Sequence, residues 1–420
     1  MRIALIAFGT RGDVEPFLAV EKRLRAAGHQ ATVAVPADLA AFAGQTGATI
    51  RPFGVDVRDF LASREGRDML ARGDGRSFIA RALEAKRGFV ETLHRDFTAT
   101  VEGADVVVAT RLAEEEASSL AEWRGVPFVG IDYYPVSSNG RFPHALLTTR
   151  QLTPLGNRLT YRLVNRLAFR GSVADLNVLR HSLGLPPARA AAPSRLDAAG
   201  ATAIQAYSRH LVPQLADWGP RRPLVGSLRL DSAQRATLRS DHEDTELESW
   251  LAAGDAPIYV GFGSIPVGDG RQTLEMIRKV ARDVGTRALV VAGWSDFPRD
   301  ADRTGRVHVT TAVDHGSVLP RCRLAVHHGG SGTTAATISA GLPTVICSIF
   351  YDQQFWGRAV ERLGVGATMR LQDADATALT KLIRPLLTEE AAGRVKQLAA
   401  AVRDEDGPGE AARIITSVAR

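Results

Sequence analysis

The sequence predicts an α/β protein built from two doubly wound, Rossmann-like domains that face one another across a cleft. Three observations lead there. Both halves of the chain are runs of short apolar strands followed by helix-periodic stretches, as at 2–8 then 17–27 and again at 257–262 then 271–284. Alternation of that kind requires parallel strands joined by right-handed crossovers. The 420 residues are enough for two or three domains, each with its own core.

The first strand, 2–8, runs into the loop Gly9-Thr10-Arg11-Gly12-Asp13-Val14-Glu15-Pro16. A helix follows over 17–27, with Phe17, Val20 and Leu24 at helical spacing, and Gly28 closes it. The next strand is 31–35. Ligands of parallel sheets bind at the carboxyl ends of strands, so the loop carrying Asp13 is on the ligand side. Asp13 has two readings, a helix N-cap and a general base. An ordinary aspartate, with a pKa near 4, is a weak base, and burial would have to raise it.

Further on, 64–76 is rich in Arg, Gly and Asp and reads as a loop. Residues 77–97 read as a helix with Phe89, Leu93 and Phe97 on one face. Strands are expected at 106–109 and 126–130, with a helix over 112–123 between them. Asp132-Tyr133-Tyr134-Pro135 lies at the end of the second, again on the ligand side. Arg11, Tyr133, Tyr134 and Phe142 are the expected acceptor-side residues, though the aromatics serve equally well as packing. Two helices, 155–169 and 173–183, are separated at Gly171 and followed by Gly184-Leu185-Pro186-Pro187. Short strands are expected at 203–207 and 224–226. The polar stretch 228–245 lacks apolar periodicity and reads as a linker. The domains are therefore 1–227, 246–408 and a terminal amphipathic helix over 409–420.

In the second half, strand 257–262 ends in Gly263-Ser264-Ile265-Pro266, helix 271–284 follows, and strands are expected at 288–292 and 307–310. The stretch 324–347, LAVHHGGSGTTAATISAGLPTVIC, reads as strand, glycine-rich turn, helix, strand. Its glycines allow close backbone approach, and the N–H groups and dipole at a helix start attract anions. Gly330, Ser331, Gly332 and Thr333 form that start, and His328 can add an imidazole N–H. Neither a Walker loop nor GxGxxG is present, which argues against a P-loop NTPase and a dinucleotide oxidoreductase. After strand 345–349, Asp352-Gln353 places a carboxylate beside an amide, a pair suited to sugar hydroxyls.

Composition removes other classes. Hydrophobic residues make up 45% and charged residues 23%, ordinary for a globular protein, and no apolar run reaches the roughly 20 residues of a membrane span. No stable membrane insertion is expected. The N-terminus lacks a signal-peptide pattern, so a cytoplasmic protein is expected. The net charge of +6 is dispersed rather than gathered in a stripe, so no nucleic-acid partner is expected. Cys322 and Cys347 fall in apolar surroundings and are expected as buried thiols. No Cys/His spacing suits a metal, and His327 and His328, adjacent on extended backbone, cannot point the same way.

HHGGSGTT, AGLPTV and SIFYDQQFWGRAVERLGVG, in that order and spacing, resemble the nucleotide-sugar signature of family 1 glycosyltransferases with the GT-B fold, and most of all the bacterial natural-product and sterol-glucosyltransferase-like branch. GTRGDVEPF resembles that branch's GxRGDxxP loop. The resemblance is strongest over 324–366, good over 1–35 and weak over 60–240. It implies that Asp13 deprotonates the acceptor, that Ser264 lies near the donor diphosphate, and that Gly293-Trp294 matches a recurrent pair. Val313-Asp314-His315 stands where relatives contact the nucleotide base, with Asp314 in place of a proline. It also assigns Asp352 and Gln353 to the donor sugar and lets the terminal helix cross back to the first domain.

The combined expectation is an inverting, metal-independent glycosyltransferase without a cofactor. It moves a sugar from a UDP- or dTDP-sugar to a hydroxyl of a small, largely apolar natural-product acceptor, working as a monomer or homodimer. The donor residues are Ser264, Trp294, Val313, His328, Gly330 to Thr333, Asp352 and Gln353; Asp13 and His328 carry the chemistry. Rival readings are a nucleotide-sugar epimerase of the same architecture and a non-catalytic nucleotide-sugar-binding partner protein.

Overall fold

The structure is a computed structural model that describes residues 1–54, 56, 81, 84–216, 218–238, 245–263, 269–298 and 305–419. These fall into two compact units, one holding the described residues of 1–238 and 405–419, the other those of 245–404.

The first unit is a six-stranded sheet in the order β3-β2-β1-β4-β5-β6. In chain order its elements are β1 (Arg2–Ile6), α1 (Arg11–Ala26), β2 (Gln30–Pro36), β3 (Thr49–Phe53), α2 (Val90–Val101), β4 (Val106–Thr110), α3 (Glu114–Arg124), β5 (Phe128–Asp132), α4 (Pro154–Ser182) and β6 (Thr202–Gln205). Every pairing is parallel. β4 and β5 are buried along their whole length, which is why they read as continuous apolar runs. Phe17, Leu18 and Leu24 of α1 fill one face of the sheet. Phe53, Phe97 and Leu120 fill the other.

The second unit repeats the design. Its elements are β7 (Ile258–Gly261), α5 (Gly270–Asp283), β8 (Ala288–Val291), β9 (Val307–Thr310), β10 (Leu324–His327), α6 (Ser331–Ser339), β11 (Thr344–Ser348), α7 (Asp352–Arg362), β12 (Gly366–Arg370), α8 (Ala376–Ile383) and α9 (Glu389–Arg403). The order is β12-β11-β10-β7-β8-β9, again all parallel. Counted from each unit's first strand, both sheets run 3-2-1-4-5-6. The direction of winding reverses between β1 and β4 and between β7 and β10, the positions where such sheets open a ligand crevice. The chain then returns to the first unit as α10 (Gly407–Val418), whose Ala411, Ala412, Ile414 and Ile415 join the core around α1.

Four expectations change. The two helices at 155–169 and 173–183 are one 29-residue helix, α4. Gly171 does not adopt a left-handed conformation, and a lone glycine costs a helix only about 1 kcal/mol when the flanking turns are satisfied. The strand at 224–226 reduces to a single bridge between Gln205 and Leu224. The stretch read as a linker instead buries Leu228 and Leu230 in the first core and forms a helix at Ser232–Thr237, where Asp231 accepts from Gln234 N. Period-based reading misses so short a helix, because its stability comes from the cap and tertiary contacts. The helix expected over 77–97 is interrupted by a turn at Gly88 and Phe89: α2 starts at Val90 and runs to Val101, burying Leu93 and Phe97 while Phe89 is exposed; the loop over 64–76 lies outside the described residues. Both cysteines are buried free thiols. Among the described residues no helix is long and apolar enough to cross a membrane.

Candidate functional site

In the first unit the ligand end is built from the loops after β1, β4 and β5. Thr10 is the N-cap of α1, and Asp13 sits three residues on, where a capping box places its acid. Asp13 Oδ2 accepts from Thr10 N (2.7 Å) and from Thr10 Oγ1 (3.3 Å), while Oδ1 accepts no hydrogen bond from the described residues. The two readings of Asp13 thus coexist: one carboxylate oxygen caps and the other is left over. Burial raises this carboxyl to about 6, outweighing the Thr10 hydrogen bonds that pull it down. Gly9 makes the approach possible. Its φ is +146°, and a Cβ placed on it would lie 2.1 Å from Asp13 Oδ2. Gly9→Ala should therefore displace the carboxylate and lower the turnover number about tenfold or more with the fold retained; unchanged turnover in a steady-state assay would show that its position is immaterial.

Tyr133, following β5, donates its hydroxyl to the Asp13 carbonyl (3.0 Å). Its phenol is held well above its usual range by burial and by Asp13, so it stays a donor. Thr110 Oγ1 at the end of β4 accepts from Phe8 N (3.2 Å) and donates to Phe8 O (3.1 Å), tying the β1 loop to the switch point. Asp132 is fixed by Gln205 Nε2 (3.0 Å) and Ser137 Oγ (3.2 Å). Of the other residues expected on the acceptor side, Arg11 pairs with Glu15 and lies over the Phe42 ring. Tyr134 and Phe142 are buried.

In the second unit the loops after β7, β8, β10 and β11 interlock. A Cβ on Gly293 would lie 2.1 Å from Gly263 O, and one on Gly263 would lie 2.9 Å from His328 Cε1. Trp294 N donates to Gly263 O (3.3 Å). Gly329, at φ +91°, has room for no side chain: a Cβ would meet Ile346 Cγ2 at 2.5 Å and Gln353 O at 3.2 Å. Gln353 Oε1 accepts from Ile349 N (2.7 Å) and Phe350 N (3.4 Å), which holds the β11–α7 turn. Next to it Tyr351 is the one non-glycine residue with positive φ among the described residues (φ 62°, ψ −129°). Such a conformation costs of order 1–3 kcal/mol and concentrates at ligand sites. Asp352 opens α7 directly after it.

His327 is fully buried, and its Nδ1 accepts from Gly329 N (3.0 Å). His328 turns the other way, with the ring planes at 83°. Burial pulls its pKa down to about 4 against an opposing hydrogen bond to the Gly261 carbonyl, so the ring is neutral at pH 7; its Nδ1 has no partner. Gly330 is the N-cap of α6, and Thr334 N (2.9 Å) and Thr334 Oγ1 (3.0 Å) both donate to its carbonyl. The N–H groups of Ser331, Gly332 and Thr333 precede the first intrahelical bond and form an anion-suited end. Val313 is half-buried against the cluster around Leu319. Asp314 caps the short helix His315–Val318 by accepting from Gly316 N (3.0 Å), which accounts for an acid at that position. Ser264 lies outside the described residues.

Sequence reasoning passed over Gly9, Gly263 and Gly293 as individual residues. A glycine just past each strand end was the available signal. The Tyr351 conformation had none.

The family profile of the glycosyltransferase family 28 N-terminal domain matches residues 3–135. That of the erythromycin biosynthesis protein CIII-like C-terminal domain matches residues 298–417. An uncharacterized glycosyltransferase of Mycobacterium leprae is 34% identical over 403 residues, 95% of this chain and 92% of its own length. A sterol 3-beta-glucosyltransferase of Arabidopsis thaliana is 32% identical over 97% of this chain and 64% of its own length. The crystal structure of the glycosyltransferase VinC in complex with dTDP superposes with a TM-score of 0.67 at 16% identity, covering 100% of this chain and 99% of that one.

Proposed function

The chain belongs to the glycosyltransferases of the GT-B type, and from that membership we propose that it performs inverting, metal-independent transfer from a UDP- or dTDP-sugar to a hydroxyl of a small, largely apolar acceptor. The observation that carries the reading is Asp13: a carboxyl at a strand's carboxyl end, one oxygen anchored and one open, with its pKa raised to about 6. That value suits a base working near neutral pH far better than an ordinary aspartate.

In this reading Asp13 Oδ1 takes the proton of the acceptor hydroxyl as its oxygen attacks the anomeric carbon, and the bond to the nucleoside diphosphate breaks on the opposite face. The charge that develops on the leaving group meets the free N–H groups of Ser331, Gly332 and Thr333. One well-aimed donor of this kind is worth about 10²–10³ in rate. His328 is neutral at working pH and turns its one N–H to the Gly261 carbonyl, so the α6 N-terminus carries the electrostatic compensation. Asp352 accepts from the sugar hydroxyls. Gln353 has spent its Oε1 on the loop, which leaves its Nε2 as the group offered to the sugar.

The names of the relatives support the substrate classes. VinC holds dTDP, which supports a thymidine donor beside a uridine one. The sterol 3-beta-glucosyltransferase and the erythromycin-type profile support an apolar acceptor with a hydroxyl.

A thermal-shift panel of UDP- and dTDP-sugars, run in EDTA on the wild type and on Asp352→Ala, tests the donor side. At about 100 times its Kd a donor adds roughly 2.7 kcal/mol of stability. One donor should raise Tm in the wild type and do so less in the variant. A Tm unmoved by every donor would remove the reading.

A further inference from the structure

A second place on the first unit is built for an anion. A cavity of about 630 Å³ lies beside α4, and six arginines line it: Arg111, Arg162, Arg166, Arg170, Arg189 and Arg222. Two are paired there, Arg111 with Glu114 (2.7 Å) and Arg222 with Asp197. Glu114 and Asp197 are the cavity's only carboxylates among its lining residues. Arg162, Arg166, Arg170 and Arg189 make no ion pair or hydrogen bond among the described residues. Three of these four stand at i, i+4 and i+8 of one helix, a spacing at which like charges destabilise. Tyr161, Asn165 and Ser137 supply neutral polar atoms to the same walls.

Four exposed arginines that line one cavity of ligand size, with no carboxylate partner among the described residues, match a multiply charged oxyanion. Guanidinium forks bind phosphate oxygens in pairs, and the volume is in the range of small-molecule sites. We propose that this cavity binds a phosphate-bearing ligand distinct from the sugar donor. The site is independent of the donor reading, because every lining residue belongs to the first unit. The phosphate has two sources. Leu155, Leu159, Leu163 and Leu167 are exposed on the neighbouring face of α4, where a lipid bearing the phosphate would lay its acyl region. A soluble phosphate ester would use the cavity alone.

The test is calorimetric titration of inorganic pyrophosphate at about 0.15 M salt, to screen diffuse attraction. It is run on the wild type, on Arg162→Gln/Arg166→Gln, and on Gly332→Asp, whose new carboxylate closes the α6 anion end. Flotation with phosphatidylcholine vesicles, with and without about a third phosphatidic acid, is run on the same proteins. Pyrophosphate binding that survives in Gly332→Asp and weakens about tenfold or more in the arginine variant supports the site. Vesicle binding that needs phosphatidic acid and those arginines assigns it to a lipid phosphate; pyrophosphate binding without flotation assigns it to a soluble one. The arginine variant should melt no lower than the wild type, since it relieves like-charge repulsion. If neither probe loses binding in it, or if all pyrophosphate binding disappears with Gly332→Asp, the proposal is overturned.

Discussion

Asp13→Asn is expected to lower the turnover number by about 10²–10⁴, the range a positioned general base supplies, while leaving donor affinity in place and not lowering Tm. The amide oxygen of asparagine can still accept from Thr10 N and Thr10 Oγ1, so the cap survives. The sign of the stability effect also follows. The native carboxyl has a pKa of about 6 against an ordinary 3.8, so the folded state binds the proton more tightly. The ionised group therefore opposes folding above pH 6, and that penalty fades as pH falls from 6 toward 4. Removing the charge cannot cost stability at pH 7 through this term. The same carboxyl sets an acid limb: log kcat/KM should fall below about pH 6 with unit slope and level off above it. A variant that keeps wild-type turnover, or a flat profile down to pH 5, would leave Asp13 as a capping residue and nothing more.

Gly332→Asp is the second large effect. Gly332 is exposed, and a Cβ there meets no atom within 4 Å. An aspartate in the first turn of a helix favours the helix dipole, so α6 should be as stable as before or slightly more so. The same carboxylate would stand where the proposed diphosphate binds. Two like charges in contact, together with the loss of the free N–H groups to the new side chain, should weaken nucleoside diphosphate binding about a hundredfold. Dissociation constants for UDP and dTDP measured on both proteins decide it. Undiminished affinity with unchanged Tm would place the diphosphate elsewhere.

Much of this was open to a reader of the sequence. The strands β1, β4, β10 and β11 are wholly or almost wholly buried parallel strands, and such strands announce themselves as unbroken apolar runs. The glycine-rich β10–α6 turn announces itself because only glycine tolerates φ +91° at Gly329. Asp13 and Asp352 were visible as acids just beyond strand ends. The positive charge read as dispersed, and only the continuous helix α4 gathers Arg162, Arg166 and Arg170 along one stripe.

The sequence by itself determined the class of fold, the paired β–α units and the residues at their ligand ends, since local periodicity and backbone sterics act over a few residues and are written in order along the chain. Tertiary structure decided the rest. It made one helix of 154–182, drew Leu228 and Leu230 into the first core, turned Gln353 inward to hold a loop, neutralised His328 and raised Asp13 to about 6. The burial of Leu228 and Leu230 and the shifts at His328 and Asp13 depend on packing by residues distant in the chain. Desolvation, which shifts a proton equilibrium, and close approach, which demands a glycine, are properties of a packed neighbourhood and not of a string of letters.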